Sequence, residues 1–153
     1  IGDLKQSNTK CLSWSEFFIN ERLIPQIKKN HFSKNDFKMF DKLFYIVEKK
    51  FPKENPSLLH GDLWHGNFMF SKDDCFVIDP AIYYGFREVD IAMSKLFGGF
   101  DQAFYDAYIY SFPLESDWKD RIDLCNLYPL LVHLNIFGNS YYNSIIRIIK
   151  RYI

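Results

Sequence analysis

Between Leu58 and Pro80 the chain leaves itself little choice but a loop followed by a short hairpin. Leu58-Leu59 runs into His60-Gly61-Asp62-Leu63-Trp64-His65-Gly66-Asn67, and Phe68-Met69-Phe70 follows at once. The polar tetrad Ser71-Lys72-Asp73-Asp74 reads as a turn, after which Cys75-Phe76-Val77-Ile78 leads to Asp79-Pro80. Two short apolar runs around a polar tetrad predict two strands joined by a hairpin turn. Such a hairpin brings Asp79 back beside Asn67.

Transfer of a phosphoryl group from ATP needs a carboxylate that positions and deprotonates an acceptor hydroxyl, and oxygen ligands that hold magnesium on the phosphates. Asp62 and Asn67 stand five residues apart, the spacing of the pattern H-R-D-x-x-x-x-N, and Asp79 follows at the end of an apolar run, where that pattern has its second metal-binding Asp. The paired Gly61 and Gly66 and the flanking Leu58-Leu59 supply the structural context that such a motif requires. Two other readings compete. One is a solvated acidic loop; the other is a metallohydrolase with His60, Asp62 and His65 as ligands, although a catalytic zinc site ordinarily draws on more His donors at ligand spacing. His31 and His133 sit in sequence contexts without matching ligands.

With these residues in view, the chain resembles the C-terminal lobe of the fructosamine kinase (ketosamine kinase) family, in the aminoglycoside- and choline-kinase-like group of the protein-kinase-like fold. The resemblance runs through Trp14-Ser15-Glu16-Phe17-Phe18, Glu21-Arg22-Leu23-Ile24-Pro25-Gln26, the His60 to Asn67 loop, Asp79-Pro80-Ala81 and Tyr83-Tyr84-Gly85. It continues through Glu88-Val89-Asp90-Ile91-Ala92-Met93, Leu96-Phe97-Gly98-Gly99-Phe100 and Leu131 to Gly138. It implies an α+β, mainly helical fold: one catalytic lobe over residues 1–153, with the catalytic loop and the metal-binding Asp carried on a short β-hairpin. It also implies ATP as donor, Mg2+, and transfer to the 3-hydroxyl of a small-molecule or protein-bound ketosamine, a deglycation repair reaction. Asp62 would be the catalytic residue, Asn67 and Asp79 the metal ligands, and Trp64 a flank of the acceptor. His65 occupies a position where the family commonly has Ser, which would narrow the acceptor pocket. His60 would be a scaffold hydrogen-bonding the loop and Asp79. Glu88 and Asp90 suit the positive end of a helix dipole, and the resemblance implies that they also brace the loop from Asp79.

A kinase-like ATP site further needs a Gly-rich loop over the phosphates and a strand Lys that contacts them. Gly2 is the only glycine in the first sixty residues, and Lys5 and Lys10 lie in loop-like sequence. The expectation is therefore a chain that begins near the hinge after an N-terminal nucleotide lobe, with that lobe absent; position 1, which is Ile instead of Met, points the same way. Two further functions remain open: a kinase for another acceptor, such as an aminoglycoside or choline, and a non-catalytic lobe acting as a binding module.

Of 153 residues, 48% are hydrophobic, enough for one cored domain. Nineteen basic residues balance nineteen acidic ones, so no net field draws nucleic acid or an anionic membrane. No apolar stretch reaches the length of a membrane span, and Ile1-Gly2-Asp3-Leu4-Lys5 lacks a secretory core, so a cytoplasmic protein is expected. Cys11, Cys75 and Cys125 are odd in number and widely spaced, which fits reduced core thiols better than a disulfide framework or metal knuckle.

Around the motif, helices dominate. Ser13 and Glu16 predict a capping box opening a helix with Trp14, Phe17, Phe18 and Ile24 toward the core, kinked or restarted near Leu23 and Ile24 by Pro25. From Ser33, residues Phe37, Phe40, Leu43, Phe44 and Val47 recur at helical spacing. Phe51 to Pro56 is a loop, and Pro80 to Phe86 reads as another, at the surface near the metal site. Glu88 to Phe97 is helical and ended by Gly98-Gly99. Helices are expected over Asp101–Tyr110, Ser116–Phe137 and Ser140–Tyr152, the longest kinked at Pro129.

Overall fold

A computed structural model describes residues 1–72 and 74–153. Asp73, part of the expected turn, lies outside the described residues. In chain order the elements are helix α1 (Trp14–Phe17), a π-helical turn (Phe18–Leu23), α2 (Ile24–Ile27), α3 (Lys34–Lys50), strands β1 (Ser57–Leu59), β2 (Phe68–Ser71), β3 (Asp74–Val77) and β4 (Tyr83–Gly85), and helices α4 (Glu88–Leu96), α5 (Gln102–Ser111), α6 (Ile122–Phe137) and α7 (Tyr142–Tyr152). The strands form two separate antiparallel pairs, β1 with β4 and β2 with β3. No helix among the described residues is long and apolar enough to cross a membrane.

Two compact units divide the chain: residues 2–53 with 127–153, and residues 54–126 with Ile1. In the first, the Ser13 hydroxyl accepts the Glu16 amide at 3.1 Å, as a cap should. The Glu16 carboxylate takes the amide of Leu12, at 2.9 Å, where a reciprocal box with Ser13 was expected. The helix restarts at Ile24. Its amide reaches five residues back to Ile19, and Pro25 then falls at the start of α2, where a missing N–H costs nothing. A full capping box between Ser33 and Asp36 opens α3, which buries Met39, Phe40, Leu43 and Val47. Phe37, expected on that face, is 43% exposed. Ile145, Ile148 and Ile149 of α7 complete this core, and the Tyr142 hydroxyl donates to Asp36 Oδ2 at 3.0 Å.

In the second unit, Ile91, Tyr105 and Trp118 centre a cluster that also takes in Phe100, Phe104 and Tyr108. Beside it Arg121 makes a bidentate pair with Glu88, Nε to Oε2 at 2.8 Å and Nη2 to Oε1 at 2.6 Å, with both side chains buried. Burial pushes the Glu88 carboxyl up, opposed by the Arg121 hydrogen bonds. The segment before α6 tightens into a 3-10 turn over Trp118–Arg121, so α6 spans 16 residues and α3, with 17, is the longest helix. Pro129 lies inside α6.

Two expectations are corrected by the strands. Pro80 to Phe86 is not wholly loop: Tyr83–Gly85 pairs with Ser57–Leu59 in the register Leu59↔Tyr83, burying that pair. Cys75 is exposed on β3 and not a core thiol, while Cys125 is buried. The reason is that the β2–β3 hairpin lacks a fully covered face: Met69, Phe70, Phe76 and Val77 are all exposed.

Candidate active site

Strand β1 delivers His60 to one edge of the site, and the Ala81 amide closes onto the His60 carbonyl at 2.8 Å just before β4. Gly61 follows in the left-handed region, φ +79°, and a Cβ there would stand 2.1 Å from the Ala81 carbonyl oxygen. Only glycine satisfies both conditions.

A single carboxylate holds this corner. Asp90, in the first turn of α4, accepts the His60 amide at 2.7 Å and the Gly61 amide at 2.9 Å, one on each oxygen. Burial pushes its carboxyl above the ordinary aspartate value, against the pull of those two amides. The His60 ring ties two segments together. Its Nε2 faces the Ile78 carbonyl at 3.0 Å and its Nδ1 faces the Asp62 amide at 3.3 Å. A carbonyl can only accept and an amide N–H can only donate, so the ring that makes both bonds is the neutral Nε2–H tautomer.

Asn67 closes the loop from the far end. Its backbone amide bonds the Trp64 carbonyl at 3.0 Å, and its buried side-chain Nδ2 donates to the Asp62 carbonyl at 2.9 Å and to Asp62 Oδ2 at 3.2 Å. That use of Nδ2 leaves Oδ1 as the acceptor atom of the same amide. Beyond Asn67 the Phe68↔Val77 pair starts the hairpin, and the Ile78 amide donates to the Asn67 carbonyl at 3.0 Å. Asp79 is therefore the first residue past the ladder on the Asn67 side. It adopts φ +51°, a conformation few non-glycine residues accept, though Asp accepts it more readily than most. Trp64 lies folded over Gly66, where a Cβ would come within 2.3 Å of the indole, and meets Phe97 edge-on with ring centroids 6.1 Å apart. His65 is exposed in the 3-10 turn His65–Asn67.

The structure thus brings His60, Asp62 and Asn67 into one bonded loop, with Asp79 joined to it through Ile78. His60 contacts the Asp79 side through the carbonyl of Ile78 instead of through Asp79 itself. The bracing role expected of Glu88 and Asp90 is also corrected: Asp90 braces His60 and Gly61, and Glu88 pairs with Arg121. Acidic residues opening a helix gave a signal for Asp90, but its partners lie 29 and 30 residues upstream. The metallohydrolase arrangement is not assembled, because both His60 nitrogens are engaged by backbone groups. Among the described residues no three His, Cys, Asp or Glu side chains gather to hold a metal ion. Magnesium asks for less. Asn67 Oδ1 and the Asp79 carboxylate are hard oxygen donors of the kind it accepts, and with nucleotide phosphates they would make up its donor set.

Residues 1–153 match the sequence profile of the fructosamine kinases along their whole length. The chain belongs to the fructosamine kinase family. It is 42% identical over 161 residues to the probable ketoamine kinase of Enterococcus faecium, a match covering 99% of this chain and 57% of that protein. Identity to the chloroplastic protein-ribulosamine 3-kinase of Arabidopsis thaliana is 38% over 159 residues, covering 100% of this chain and 48% of that one. A Thermobifida fusca crystal structure assigned as a fructosamine-3-kinase superposes with a TM-score of 0.91 at 35% identity, covering 98% of this chain and 54% of that chain. The chain therefore spans about half the length of the fructosamine kinase relatives it matches. Like those structures, it is mainly helical with small antiparallel strand pairs.

Proposed function

We propose that residues 1–153 are the C-terminal catalytic lobe of a protein-kinase-like enzyme that phosphorylates the sugar hydroxyl of ketosamines with ATP. The observation that carries this reading is the closed loop in which Asn67 Nδ2 bonds both the carbonyl and the carboxylate of Asp62, with Asp79 tethered next to it by the Ile78–Asn67 bond. Such a loop presents one carboxylate to an acceptor and two oxygen donors to a metal, the parts that phosphoryl transfer requires.

In this reading the Asp62 carboxylate accepts a hydrogen bond from the acceptor hydroxyl, aims its oxygen at the γ-phosphorus, and takes its proton as the new O–P bond forms and the bond to the ADP oxygen breaks. Asn67 keeps the Asp62 side chain from rotating away through the 3.2 Å bond to Oδ2. Asn67 and Asp79 would hold magnesium, which supplies charge neutralisation on the phosphates. Asp90 and His60 hold the backbone from which Asp62 projects. Trp64 and His65 border the acceptor. The names of the relatives favour a ketosamine, small or protein-bound, over an aminoglycoside or choline, and a phosphorylated ketosamine would be primed to shed its sugar, a repair of glycation.

The test is a chimaera in which residues 1–153 replace the matching stretch of the Arabidopsis relative, assayed for ADP release against fructosyl-amines, choline and an aminoglycoside, with the parent enzyme as positive control. Release confined to the fructosyl-amines and lost in Asp62→Ala supports the reading. Release with choline or the aminoglycoside alone assigns the other acceptor class. A folded chimaera silent on every acceptor supports a non-catalytic module.

A further inference from the structure

The segment Phe97-Gly98-Gly99-Phe100 touches the candidate loop at two points. Phe97 meets Trp64 edge-on, with centroids 6.1 Å apart and planes at 75°, and Phe100 meets Phe68 at 5.3 Å. Trp64 stands inside the loop that Asn67 closes on Asp62, and Phe68 directly follows Asn67, so both contacts fall on the flanks of the candidate site. Gly66 supports the indole from within the loop: a Cβ at that position would lie 2.3 Å from it. Trp64 is thus held by Gly66 and Phe97 before anything binds, yet it remains 36% exposed.

Of the two glycines between the phenylalanines, Gly98 faces open space and Gly99 lies against the Tyr105 hydroxyl, 3.4 Å from where its Cβ would stand. Gly98 and Gly99 adopt φ +98° and +78°, and a Cβ on Gly98 would meet nothing within 4 Å. The left-handed turn therefore leaves open space at Gly98, the residue next to Phe97. The cation nearest in sequence does not line it: Lys95 Nζ sits 3.4 Å over the Tyr105 ring. What Trp64 and Phe97 offer a ligand is two aromatic surfaces set at a steep angle, which suits a flat or branched apolar group.

We propose that Trp64 and Phe97 form a subsite for the substituent on the acceptor's amine nitrogen, that it selects apolar and aromatic substituents over small charged ones, and that Phe97 is its specificity-determining residue. This deepens the ketosamine kinase reading and rests on it. Phe97 touches no reacting atom in this account; it governs which acceptors sit well beside Asp62.

The chain of residues 1–153 is titrated with two ketosamines, 1-benzylamino-1-deoxyfructose and fructosylglycine, following the Trp64 indole N–H resonance by NMR after assignment with Trp64→Phe. The expected result is benzyl binding at least about 5-fold tighter than that of fructosylglycine, accompanied by a shift of the Trp64 signal. Phe97→Ala abolishes the preference and Phe97→Tyr keeps it; Phe97→Leu serves as the smaller perturbation should the alanine variant lose its folded amide spectrum. Equal binding in the parent chain, no binding of either sugar, or a preference that survives Phe97→Ala and Phe97→Leu overturns the inference. The kinase reading fails separately. In the chimaera its failure is the absence of Asp62-dependent transfer, whereas Asp62-dependent transfer with an unchanged acceptor preference in the Phe97 variants sinks the subsite alone.

Discussion

Replacing Asp90 with Asn exchanges a group that accepts two amides for one that carries a single acceptor and a donor. In the native arrangement His60 N–H and Gly61 N–H reach separate carboxylate oxygens at 2.7 and 2.9 Å. Hydrogen bonds to a charged acceptor contribute about 1.5–3 kcal/mol each, and a polar group left unpaired in a partly buried site costs about 1–3 kcal/mol. In Asp90→Asn the side-chain Oδ1 can serve one amide, while the new Nδ2 would confront the other, donor against donor. Some of that loss is returned, because burial disfavours the charged carboxylate, as the raised Asp90 value indicates, and a neutral amide is free of that cost. The net expectation is a local loss of about 1.5–3 kcal/mol, or roughly 10- to 100-fold faster exchange of the two amides at 1.4 kcal/mol per tenfold. Amide hydrogen exchange followed by NMR reads it directly, with urea unfolding as a check on global stability. In the chimaera the same variant should lower kcat more than it raises KM, because Asp90 positions Asp62 without touching substrate. Unchanged protection at His60 and Gly61 would refute the reasoning, as would a loss spread evenly over all amides.

Gly61→Ala is expected to destabilise the chain by about 2–5 kcal/mol, combining about 1–2 for an L-residue at φ +79° with about 1–3 for a Cβ driven against the Ala81 carbonyl; urea denaturation measures it. Arg121→Met strands the buried Glu88 carboxylate and should cost about 3–5 kcal/mol, whereas the double variant Glu88→Leu/Arg121→Met should recover part of that loss in the same assay. Asp36 gives a pH signature. Burial raises its carboxyl, but the Ser33 hydrogen bonds, the Tyr142 hydroxyl and the charge of Lys150 together outweigh burial and hold it below the ordinary value. A folded-state value below the unfolded one means a stabilising contribution that is complete above the ordinary aspartate range and lost as pH falls through the lowered value. Asp36→Asn should cost about 1 kcal/mol near neutrality and converge with the parent in acid, seen as urea midpoints between about pH 2 and 7.

What could be read from the chain was local. Ser13 and Ser33 announce their caps, Pro25 announces the helix restart, and the polar residues after Phe70 announce a hairpin whose strands pair within a span of ten residues, Phe68 to Val77. Asp62 and Asn67 are near enough in sequence that their bonds amount to a turn property. Features requiring a distant partner were invisible. Tyr83–Gly85 is a three-residue strand beside Pro80, and nothing in its own composition names Ser57–Leu59 as its mate. Asp90 looked like a helix-dipole residue because its partners are backbone amides, which leave no mark on a sequence. Cys75 was misplaced since apolar neighbours such as Phe76 and Val77 mark a buried position only where something covers the strand, and β3 is exposed along its length. Phe97 showed as a helix-ending apolar residue, and its ring partner, Trp64, lies far upstream in the chain.

If the loop from His60 to Asp79 moves a phosphoryl group onto a ketosamine hydroxyl, as proposed, the product is a sugar phosphate ester. Phosphorus NMR of the chimaera with Mg-ATP and a fructosyl-amine observes that product directly. The account predicts a new sugar phosphate-ester resonance that grows as ADP appears and is absent from Asp62→Ala, whose amide spectrum stays folded. ATP consumption with only inorganic phosphate formed, or an ester signal that persists in Asp62→Ala, would contradict it.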